Sequence, residues 1–481
     1  MELDIITRPG RPGEDPPAPT VFDSSGAPAD GRLITQLREG TAGADLAAPP
    51  VVLPDFCHKA KSEMPSSIAV ATRGAIRPTL TDAALNCGMA LIALDTDRPP
   101  AAAVTDFYRR VQERFPHPPG WRRDLTAAEV LRAATEGADF AADRYGLSGA
   151  ELDRIEERGR LDIERYGGAR QARKDLPWLV TQMARLRFGS IGPSTHFLEM
   201  QQIEEICDPD TARRLGLAAG QVTIQLHNGG GVLTGQIGEL YARRKSASRL
   251  LRAEMSVQKP LSHLATARSR AQLARRLSAY FTRGCPSVPV EGDDGRRILL
   301  ATRLSMNYGF AYRMATYAAL RAIAGSALGT TARLVVDSPH NSVYEEPVGG
   351  APAFVHRHNA CRAYPAALMA GHPAFAETGQ PLLLPGTNRT SSYLCVPGPE
   401  AGRSLYTACH GTGSIISAFE RSGRSGPDPR GRATARYRYG GAAPADVGHL
   451  DDQGVDEALG ILAGHGLVTP VARMRPFAVL T

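Results

Sequence analysis

The chain has 481 residues, 42% of them hydrophobic, and a formal net charge of +7. This length and apolar content suffice for one large domain or for two to three ordinary domains with buried cores. Seven cysteines without a Cys-x-x-Cys pair exclude a disulfide framework and favour a reducing cytoplasm. The apolar runs are too short to span a bilayer, so the sequence predicts no membrane partner. The positive charge suits a partner that carries phosphate.

The first 50 residues differ in composition from those that follow. Residues 1–50 are rich in Pro, Gly, Ala and Asp, which predicts a poorly ordered N-terminal arm. Short apolar runs then predict strands, most clearly at residues 51–53, 68–71 and 89–94. We therefore expect the folded domain to comprise residues 51–481.

Residues 104–188 have the pattern of helices. Thr126 precedes Glu129 by three positions, and Ser148 precedes Glu151 in the same way, which is the capping box of a helix N-terminus. The charged, alanine-rich character of the stretch predicts an outer helical layer or an insertion.

Strands and helices follow one another irregularly in the rest of the chain. Strands with glycine loops are predicted for residues 188–235, basic helices for 238–284 and a helix with a buried aromatic side for 303–324. A short helix is predicted in the tail. The glycine- and arginine-rich stretch 421–441 predicts a surface loop or, alternatively, a basic loop that contacts RNA. The remaining strands are predicted at residues 334–336, 381–384, 393–396 and 477–480.

These elements predict an α+β fold, with mixed sheets in a central core and helices around them, because they do not alternate as βαβ units. No Gly-x-Gly-x-x-Gly lies between a strand and a helix, and no Walker-type phosphate loop occurs. A nucleotide site of either common type is therefore excluded.

Histidines in short glycine-rich or polar phrases are spread over more than two hundred residues, and Cys87 lies upstream of them. Imidazole and thiolate groups bind transition metals and attack phosphorus. The number of phrases predicts one site assembled by folding, although each histidine alone also fits a surface or satisfied core residue, and Cys87 a small buried hydrophobe. The histidines are His196, His227, His340, His356, His358 and His410.

His410 differs from the other histidines in its neighbours. Gly411, Thr412 and Gly413 leave room beside the imidazole, and backbone amides there could cradle a phosphate. A neutral imidazole nitrogen is a good nucleophile toward phosphorus. The hydroxyl-rich turn at residues 385–392 suits a phosphate or a base edge, or is an ordinary loop.

In their order along the chain, these phrases resemble those of the RtcB family, the GTP- and manganese-dependent tRNA-splicing ligases. The resemblance runs from about Pro54 to the C-terminus. The family's Asp-x-Asn-Cys-Gly resembles residues 84–88, its Asn-His-Phe-Leu-Glu residues 195–199, and its Cys-His-Gly-Ala-Gly-Arg residues 409–414. The other matching phrases are residues 227–231, 340–341, 355–363 and 385–393.

The resemblance implies that His410 takes a guanylyl group from GTP and passes it to an RNA 3′-phosphate, after which a 5′-hydroxyl displaces GMP. It implies one Mn²⁺ ion held by Cys87, His227 and His340, and a second held in part by Cys87 and His196. The RNA, tRNA among the candidates, is then the partner, while the sequence does not identify an activator protein.

The resemblance also implies two further sets of contacts. The nucleotide is expected to meet Thr195, His196, Phe197, Leu198, Glu199, His340, Asn341, Pro385, Gly386, Thr387, Asn388, Ser392, His410, Gly411, Thr412, Gly413 and Thr481. RNA phosphate is expected to meet His356, Arg357 and Arg362.

Several positions depart from the family's pattern. Ala84 replaces a metal-binding aspartate, which weakens the second site for Mn²⁺ because that ion prefers oxygen ligands. Asp82 is a candidate substitute for that carboxylate. Gly231 and Ser414 replace arginines that would meet phosphate charge. The other departures are Thr195 for an asparagine, His358 for a lysine and Thr481 for a terminal lysine.

Three hypotheses follow from this pattern of retained ligands and lost charges. The chain is a ligase that joins an RNA 3′-phosphate or 2′,3′-cyclic phosphate to a 5′-hydroxyl, for tRNA splicing or RNA repair. Alternatively, it binds RNA ends or a nucleotide without ligation. The third hypothesis is a metal-dependent phosphoesterase, since a shared fold does not guarantee shared chemistry.

Overall fold

The computed structural model describes residues 16–59, 62–118, 120, 123–192, 196–244, 249–281, 287–441 and 443–481. The α-helices are α1 (Gly31–Thr41), α2 (Ala101–Arg114), α3 (Ala127–Glu136), α4 (Ala138–Tyr145), α5 (Gly149–Leu152), α6 (Gly168–Asp175), α7 (Trp178–Ala184), α8 (Pro209–Leu215), α9 (Gly231–Leu240), α10 (Arg249–Thr266), α11 (Arg270–Phe281), α12 (Asp293–Leu328), α13 (Gly413–Arg421) and α14 (Gln453–Gly464). Short 3₁₀ helices lie at Pro78–Leu80, Glu156–Gly159, Glu164–Tyr166, Ala366–Met369 and Ala401–Ser404.

The strands are β1 (Thr20–Val21), β2 (Val51–Cys57), β3 (Ser66–Thr72), β4 (Ala75–Ile76), β5 (Gly88–Leu94), β6 (Phe197–Ile206), β7 (Val222–Asn228), β8 (Val288–Pro289), β9 (Ala332–Pro339), β10 (Asn341–Val348), β11 (Ala351–His358), β12 (Ala360–Arg362), β13 (Leu382–Leu384), β14 (Ser392–Pro397), β15 (Thr407–Cys409), β16 (Ala433–Tyr437), β17 (Ala445–Gly448) and β18 (Val468–Leu480). The fold is α+β, as the sequence predicts.

Two large sheets form the centre of the molecule. A nine-stranded sheet has the order β13-β14-β18-β6-β7-β5-β9, and β16 and β17 extend it alongside β18. A five-stranded sheet has the order β1-β2-β3-β11-β10. β10 begins two residues after β9 ends, so residue 340 lies at the junction of the two sheets.

The long helix α12 is the main helical support of the nine-stranded sheet. Its side chains Phe310, Met314 and Tyr317 pack in one core with Leu198 of β6 and Leu226 of β7. Its other faces pack in a second core with residues of α3, α7 and α9. A helix buried on most of its circumference needs apolar and small residues all round, and the sequence of α12 supplies them.

The helical stretch predicted at residues 104–188 is observed as α2 to α7. Both predicted capping boxes are present, at the start of α3 and of α5, where each hydroxyl accepts a backbone N–H and each glutamate reaches back to the cap. The basic stretch is likewise helical in its described part, as α9, α10 and α11.

Two predictions are wrong in the described residues. The poorly ordered arm is corrected for residues 16–50, because β1 pairs with β2, and Phe22 and Leu37 are fully buried. The surface loop predicted at 421–441 is wrong for residues 433–437, which form β16 and pair in parallel with β18, whereas most of residues 422–432 are exposed and lie outside helices and strands. In both segments the many proline, glycine or arginine residues predict a loop, but a few apolar side chains among them pack into the core and determine the structure.

Among the described residues, no helix combines the length and the apolar content that a bilayer crossing needs.

Candidate active site

One edge of the nine-stranded sheet brings four of the sequence-predicted residues together. Gly88 at the start of β5 pairs with Asn228 of β7 and with Pro339 of β9. Cys87, His227 and His340 precede or follow these three paired residues by one position, so they lie next to one another at the ends of the strands. His196 joins them because Phe197, the first residue of β6, lies opposite His227.

The donor atoms of these four residues lie within a few ångströms of one another. Cys87 Sγ is 3.4 Å from His227 Nε2 and 3.5 Å from His196 Nε2. His227 Nε2 is 3.0 Å from His340 Nε2. Ligands of a four-coordinate metal ion with bonds near 2.1 Å are about 3.4 Å apart, so the spacing fits such an ion.

The chemistry of the donor set also fits a divalent transition metal. One sulfur and several imidazole nitrogens suit an ion of intermediate softness. Gly229 borders this group, because a Cβ there would make ordinary contacts of 3.4 Å with Cys87 Sγ and 3.5 Å with His196 Nε2. Within the described residues, no carboxylate oxygen belongs to the group formed by Cys87, His227 and His340.

Backbone hydrogen bonds fix the metal-site residues independently of any ion. The N–H of His340 donates to the carbonyl of Cys87 over 2.8 Å, and the N–H of Asn86 donates to the carbonyl of Asn341 over 2.8 Å. Beneath them, Arg313 of α12 donates to both carboxylate oxygens of Asp337 over 2.7 Å, in a fully buried pair, and also to the carbonyl of Asn86. The turn that carries Cys87 is therefore rigid.

Burial dominates the electrostatics of the thiol. It raises the pKa of Cys87 to about 12, although the charges of Arg313 and Lys59 oppose that rise. A bound metal ion favours the thiolate, so binding releases a proton and becomes tighter as pH rises.

Asp82 does not take the place of the carboxylate missing at position 84. One of its oxygens accepts the N–H of Ala84 over 2.9 Å, and the other accepts the Ser62 hydroxyl and lies 3.7 Å from His358 Nε2. These contacts direct Asp82 away from the donor group. The substitution proposed from the sequence is therefore wrong in this structure.

His410 lies beside the metal-site residues, at the end of β15. Its ring stacks on that of His340, with centroids 3.9 Å apart and planes 8° apart. Its backbone N–H donates to the carbonyl of Asn359 over 3.1 Å, and Asn359 Nδ2 donates to the carbonyl of His410 over 2.8 Å. His410 Nδ1 is 3.8 Å from Cys361 Sγ, and no hydrogen bond joins Nε2 to any described residue.

The imidazole of His410 is held in its neutral form. Burial, with the charges of His227 and Lys59 as smaller causes, lowers the pKa of His410 well below its usual value. A neutral ring with an unengaged Nε2 has the lone pair that a nucleophile requires. The arrangement can therefore attack an electrophilic phosphorus next to a metal ion.

The predicted nucleotide residues after position 384 meet the strand of Glu199. The Thr412 hydroxyl donates to the carbonyl of Pro385 over 2.8 Å. The N–H of Gly386 donates to the Ser392 hydroxyl over 3.0 Å, and Gln201 Nε2 lies 3.1 Å from the same hydroxyl oxygen. Thr387 and Asn388 are half-buried in the same turn.

A buried polar cluster extends from these contacts along the sheet face. Gln201 Nε2 donates to Glu199 over 2.7 Å, and Gln225 lies opposite Glu199 in the strand pairing. Both amide atoms of Gln225 are buried and have no hydrogen-bond partner among the described residues. Burial raises the pKa of Glu199 to about 8, so this carboxyl is largely protonated at neutral pH. Sequence reasoning missed Gln225, although its spacing of two residues from His227 places both on one face.

Three other predicted nucleotide residues, Phe197, Leu198 and Thr481, lie in different places. The ring of Phe197 packs against His227 at 5.3 Å. The side chain of Leu198 is fully buried in the core behind the sheet, so a nucleotide contact of Leu198, which stays a prediction, would involve its backbone. Thr481 follows Leu480, which pairs with Leu198, so the C-terminus ends at the same sheet edge. Thr195 lies outside the described residues.

Asn341 connects three of the phrases. Its Nδ2 donates to the carbonyl of Ala84 over 3.3 Å, and its Oδ1 accepts the N–H of Asn359 over 2.9 Å. These bonds engage the buried side chain in holding the Cys87 turn and the His410 strand together. The structure thus gives Asn341 a positioning role in addition to the predicted nucleotide contact.

Gly411 and Gly413 flank the predicted phosphate cradle. Gly411 has a φ of +96°, a conformation that favours glycine, and Gly413 is the first residue of α13. The N–H groups of Ser414 and Ile415, next in line, both donate to Asp55 Oδ1, over 2.7 and 3.1 Å. Asp55 therefore caps α13 from another strand.

The expectation that His356, Arg357 and Arg362 meet RNA phosphate is wrong in this structure. Arg357 is fully buried and donates to both oxygens of Glu346, over 2.7 and 2.8 Å. His356 is also fully buried, in the five-stranded sheet. Arg362 is buried against Glu157 and stacks over Tyr364, with the guanidinium carbon 4.3 Å from the ring centroid. Carboxylates inside the fold neutralise the charges of Arg357 and Arg362.

Sequence reasoning missed two charged residues next to the site. Asp55 is buried in β2, and burial raises its pKa to about 6 against the bonds from Ile415 and Ser414. Lys59 is exposed, and its carbonyl accepts the N–H of Ser62, whose side chain contacts Asp82. The sequence could have pointed to Asp55, because it is a charged residue within the otherwise apolar run of β2.

Comparison with known proteins agrees with this geometry. A family model described as tRNA-splicing ligase RtcB matches residues 41–481. The RNA-splicing ligase RtcB of Mycobacterium tuberculosis is 28% identical over 84% of this chain and 89% of its own length. The tRNA-splicing ligase RtcB of Thermococcus kodakarensis is 28% identical over 94% of this chain and 93% of its own length.

A third relative, the tRNA-splicing ligase RtcB of Pyrococcus horikoshii, is 29% identical over 82% of this chain, and the match spans only 44% of that longer relative. The match to the relative from Pyrococcus abyssi likewise spans 42% of its length. The family model nevertheless covers more than half of the chain and includes every residue of the histidine and cysteine cluster. The chain therefore belongs to the RtcB family, as its motifs predict.

Proposed function

We propose that this protein is an RNA ligase that joins an RNA 3′-phosphate, or a 2′,3′-cyclic phosphate, to a 5′-hydroxyl through a guanylylated His410. The observation that carries the proposal is the position of His410, which stacks on His340 beside the thiol and imidazole donors with Nε2 unengaged. The names of the relatives, all RNA- or tRNA-splicing ligases, support the same reaction class.

The proposed reaction begins at His410. Its Nε2 lone pair attacks the α-phosphorus of GTP, the bond to the bridging oxygen breaks, and pyrophosphate leaves with that electron pair. Asn359 and the His340 ring hold the imidazole in position, while Nδ1 keeps its proton facing Cys361. The site's rigidity matters because in-line attack depends on alignment of the reacting atoms.

A 2′,3′-cyclic phosphate is first opened by water, which adds to the phosphorus as the bond to the 2′-oxygen breaks, and two further transfers then complete the cycle. An oxygen of the RNA 3′-phosphate attacks the guanylyl phosphorus, and the electron pair of the P–N bond returns to Nε2. The 5′-hydroxyl then attacks the activated RNA phosphorus, loses its proton to solvent and displaces GMP. The buried polar residues Glu199, Gln201, Gln225 and Ser392 would line the nucleotide side of the site.

We propose Mn²⁺ as the metal, held by Cys87, His227 and His340, with His196 available to a second ion. When bound, the metal supplies charge neutralisation at the phosphoryl oxygens and the leaving group. Because position 84 is alanine, the second ion lacks a carboxylate, and we expect it to bind more weakly than the first.

A family member that binds RNA ends or a nucleotide without ligation is the second candidate, and one observation favours it. Gly231 starts α9 with a φ of +59° and has no side chain to meet phosphate, and Ser414 is likewise uncharged. Lys59 is an exposed cation near His410 that could compensate, which leaves ligation as the first candidate.

The experiment that separates these candidates is covalent labelling. The protein is incubated with Mn²⁺ and α-labelled GTP, denatured and tested for retained label. We expect a label in the wild type and in His465→Ala, a histidine outside the site, and none in His410→Ala. RNA binding without any label would favour the non-ligating candidate, and release of inorganic phosphate without label would favour a phosphoesterase.

We propose RNA as the substrate, with tRNA halves as one class, and the cytoplasm as the location. The free thiols of the described cysteines support a reducing compartment.

A further inference from the structure

Helices α10 and α11 form a hairpin that is firmly attached on its inner side. Lys259 Nζ, which is buried, donates to the carbonyls of Glu239, Ala242 and Tyr280 over 2.7 to 2.8 Å. At the other end, Arg276 pairs with Asp294 over 2.7 Å. The side chains on the outer face are therefore displayed by a fixed scaffold.

The outer face of this hairpin is apolar at its centre. Val257, Leu261 and Leu264 of α10 are 63%, 59% and 59% exposed, and Leu277 of α11 is 42% exposed. The first three are spaced by four and three residues, so they lie along one side of the helix. These four are the majority of the large exposed apolar side chains in the described part of the chain. The clustering of Val257, Leu261 and Leu264, unlike scattered apolar residues, marks an interaction surface.

The two helices that carry the apolar stripe are strongly basic. Residues 249–281 contain seven Lys or Arg and one Asp or Glu, a net charge of +6 in a chain whose total is +7. Four of the arginines are exposed and form no ion pair within the described part of the chain. They are Arg249, Arg270 and Arg275, together with Arg252, which lines the cavity beside Lys259 on the inner side of α10.

We propose that the outer face of the α10–α11 hairpin docks an acidic amphipathic helix of a partner protein. An amphipathic helix would cover the leucine stripe with its apolar face and pair its carboxylates with the exposed arginines of α10 and α11. RNA would satisfy the arginines and leave the leucines in water. The proposal goes beyond ligation, since the surface does not depend on the chemistry at His410.

The test uses a defined probe. A fluorescent peptide of about 20 residues, with leucines on one helical face and glutamates on the other, is titrated with the full-length protein by anisotropy. We expect binding that weakens at least tenfold in Leu261→Glu/Leu264→Glu and in Arg249→Glu/Arg270→Glu. Leu368→Glu, at an exposed apolar position outside the hairpin, should bind like the wild type. Circular dichroism and thermal melts verify that each variant is folded.

Other probes give the outcomes that would overturn the proposal. A peptide with lysines in place of the glutamates should bind at least tenfold more weakly than the acidic one, and equal binding refutes the charge argument. A single-stranded RNA, or vesicles of phosphatidylserine, that bind the wild type and lose affinity in Leu261→Glu/Leu264→Glu while the acidic peptide does not bind would assign the surface to RNA or to membrane.

Discussion

Arg357 offers the sharpest test of how the structure revises the sequence reading. The side chain is fully buried, forms two bonds with Glu346 and donates Nε–H to the Thr407 hydroxyl over 2.9 Å. Removing one partner of a buried ion pair leaves the other charge uncompensated, which costs about 3–5 kcal/mol. We expect Arg357→Met to lower the free energy of unfolding by about 4 kcal/mol at pH 7.5, roughly a thousandfold in the unfolding constant.

The control and the assay follow from the same pair. Arg357→Met/Glu346→Leu removes both charges and should recover most of the lost stability, because replacing a whole buried pair with apolar groups is often close to neutral. Unfolding is measured by urea titration with circular dichroism. If Arg357 contacted RNA phosphate instead, its loss would leave the stability unchanged and would reduce the slope of log affinity against log salt concentration by about 0.7. Unchanged stability with a lower salt slope would refute the structural role.

Three further predictions concern metal binding, phosphate charge and pH. Ala84→Asp should raise Mn²⁺ stoichiometry from one to two ions per chain in a titration followed by electron paramagnetic resonance, whereas Ala84→Asn should not. Lys59→Ala should slow GTP labelling of His410 by about tenfold, whereas Lys59→Arg should keep the wild-type rate, because only a cation can balance the developing phosphate charge. An equal labelling rate in the two variants would contradict this role of Lys59. Burial lowers the pKa of His356 to about 4, against the bonds to Val70 and Phe354. The native state therefore favours the neutral ring, so the free energy of unfolding is highest above pH 6.5 and falls by up to about 3 kcal/mol as the pH drops to 4. Urea denaturation at pH 7 and at pH 4.5 should show a smaller loss of stability in His356→Gln than in the wild type.

The position of the candidate site was within reach of the sequence, and the physical reason is strand pairing. Cys87, His227 and His340 each adjoin the end of an apolar run, and the ends of neighbouring strands meet at one sheet edge. The sequence thus predicts that these side chains gather. It does not give the register, which decides that Leu198 points into the core while Phe197 and Glu199 face the site.

The fate of the arginines was beyond sequence reasoning. Arg357 and Glu346 lie on β11 and β10, and their meeting depends on the register in which Ser342 opposes Arg357. Arg362 meets Glu157, which is about two hundred residues away in the chain. A motif shows which residue type a family retains, but whether its charge faces solvent or a buried carboxylate depends on tertiary packing.

The geometry of the cysteine and histidine cluster and the identity of the metal that we propose for it are set by different parts of the structure. The Cys87 turn is held by backbone bonds to His340 and Asn341 and by the Arg313–Asp337 pair beneath it, and none of these needs a carboxylate at position 84. Loss of that carboxylate therefore changes the affinity for the ion without moving the thiol or the imidazoles. A scaffold built in this way can change its metal or its substrate while His410 stays in place, so divergence of this chain should appear first in metal preference and only afterwards in the nucleophile.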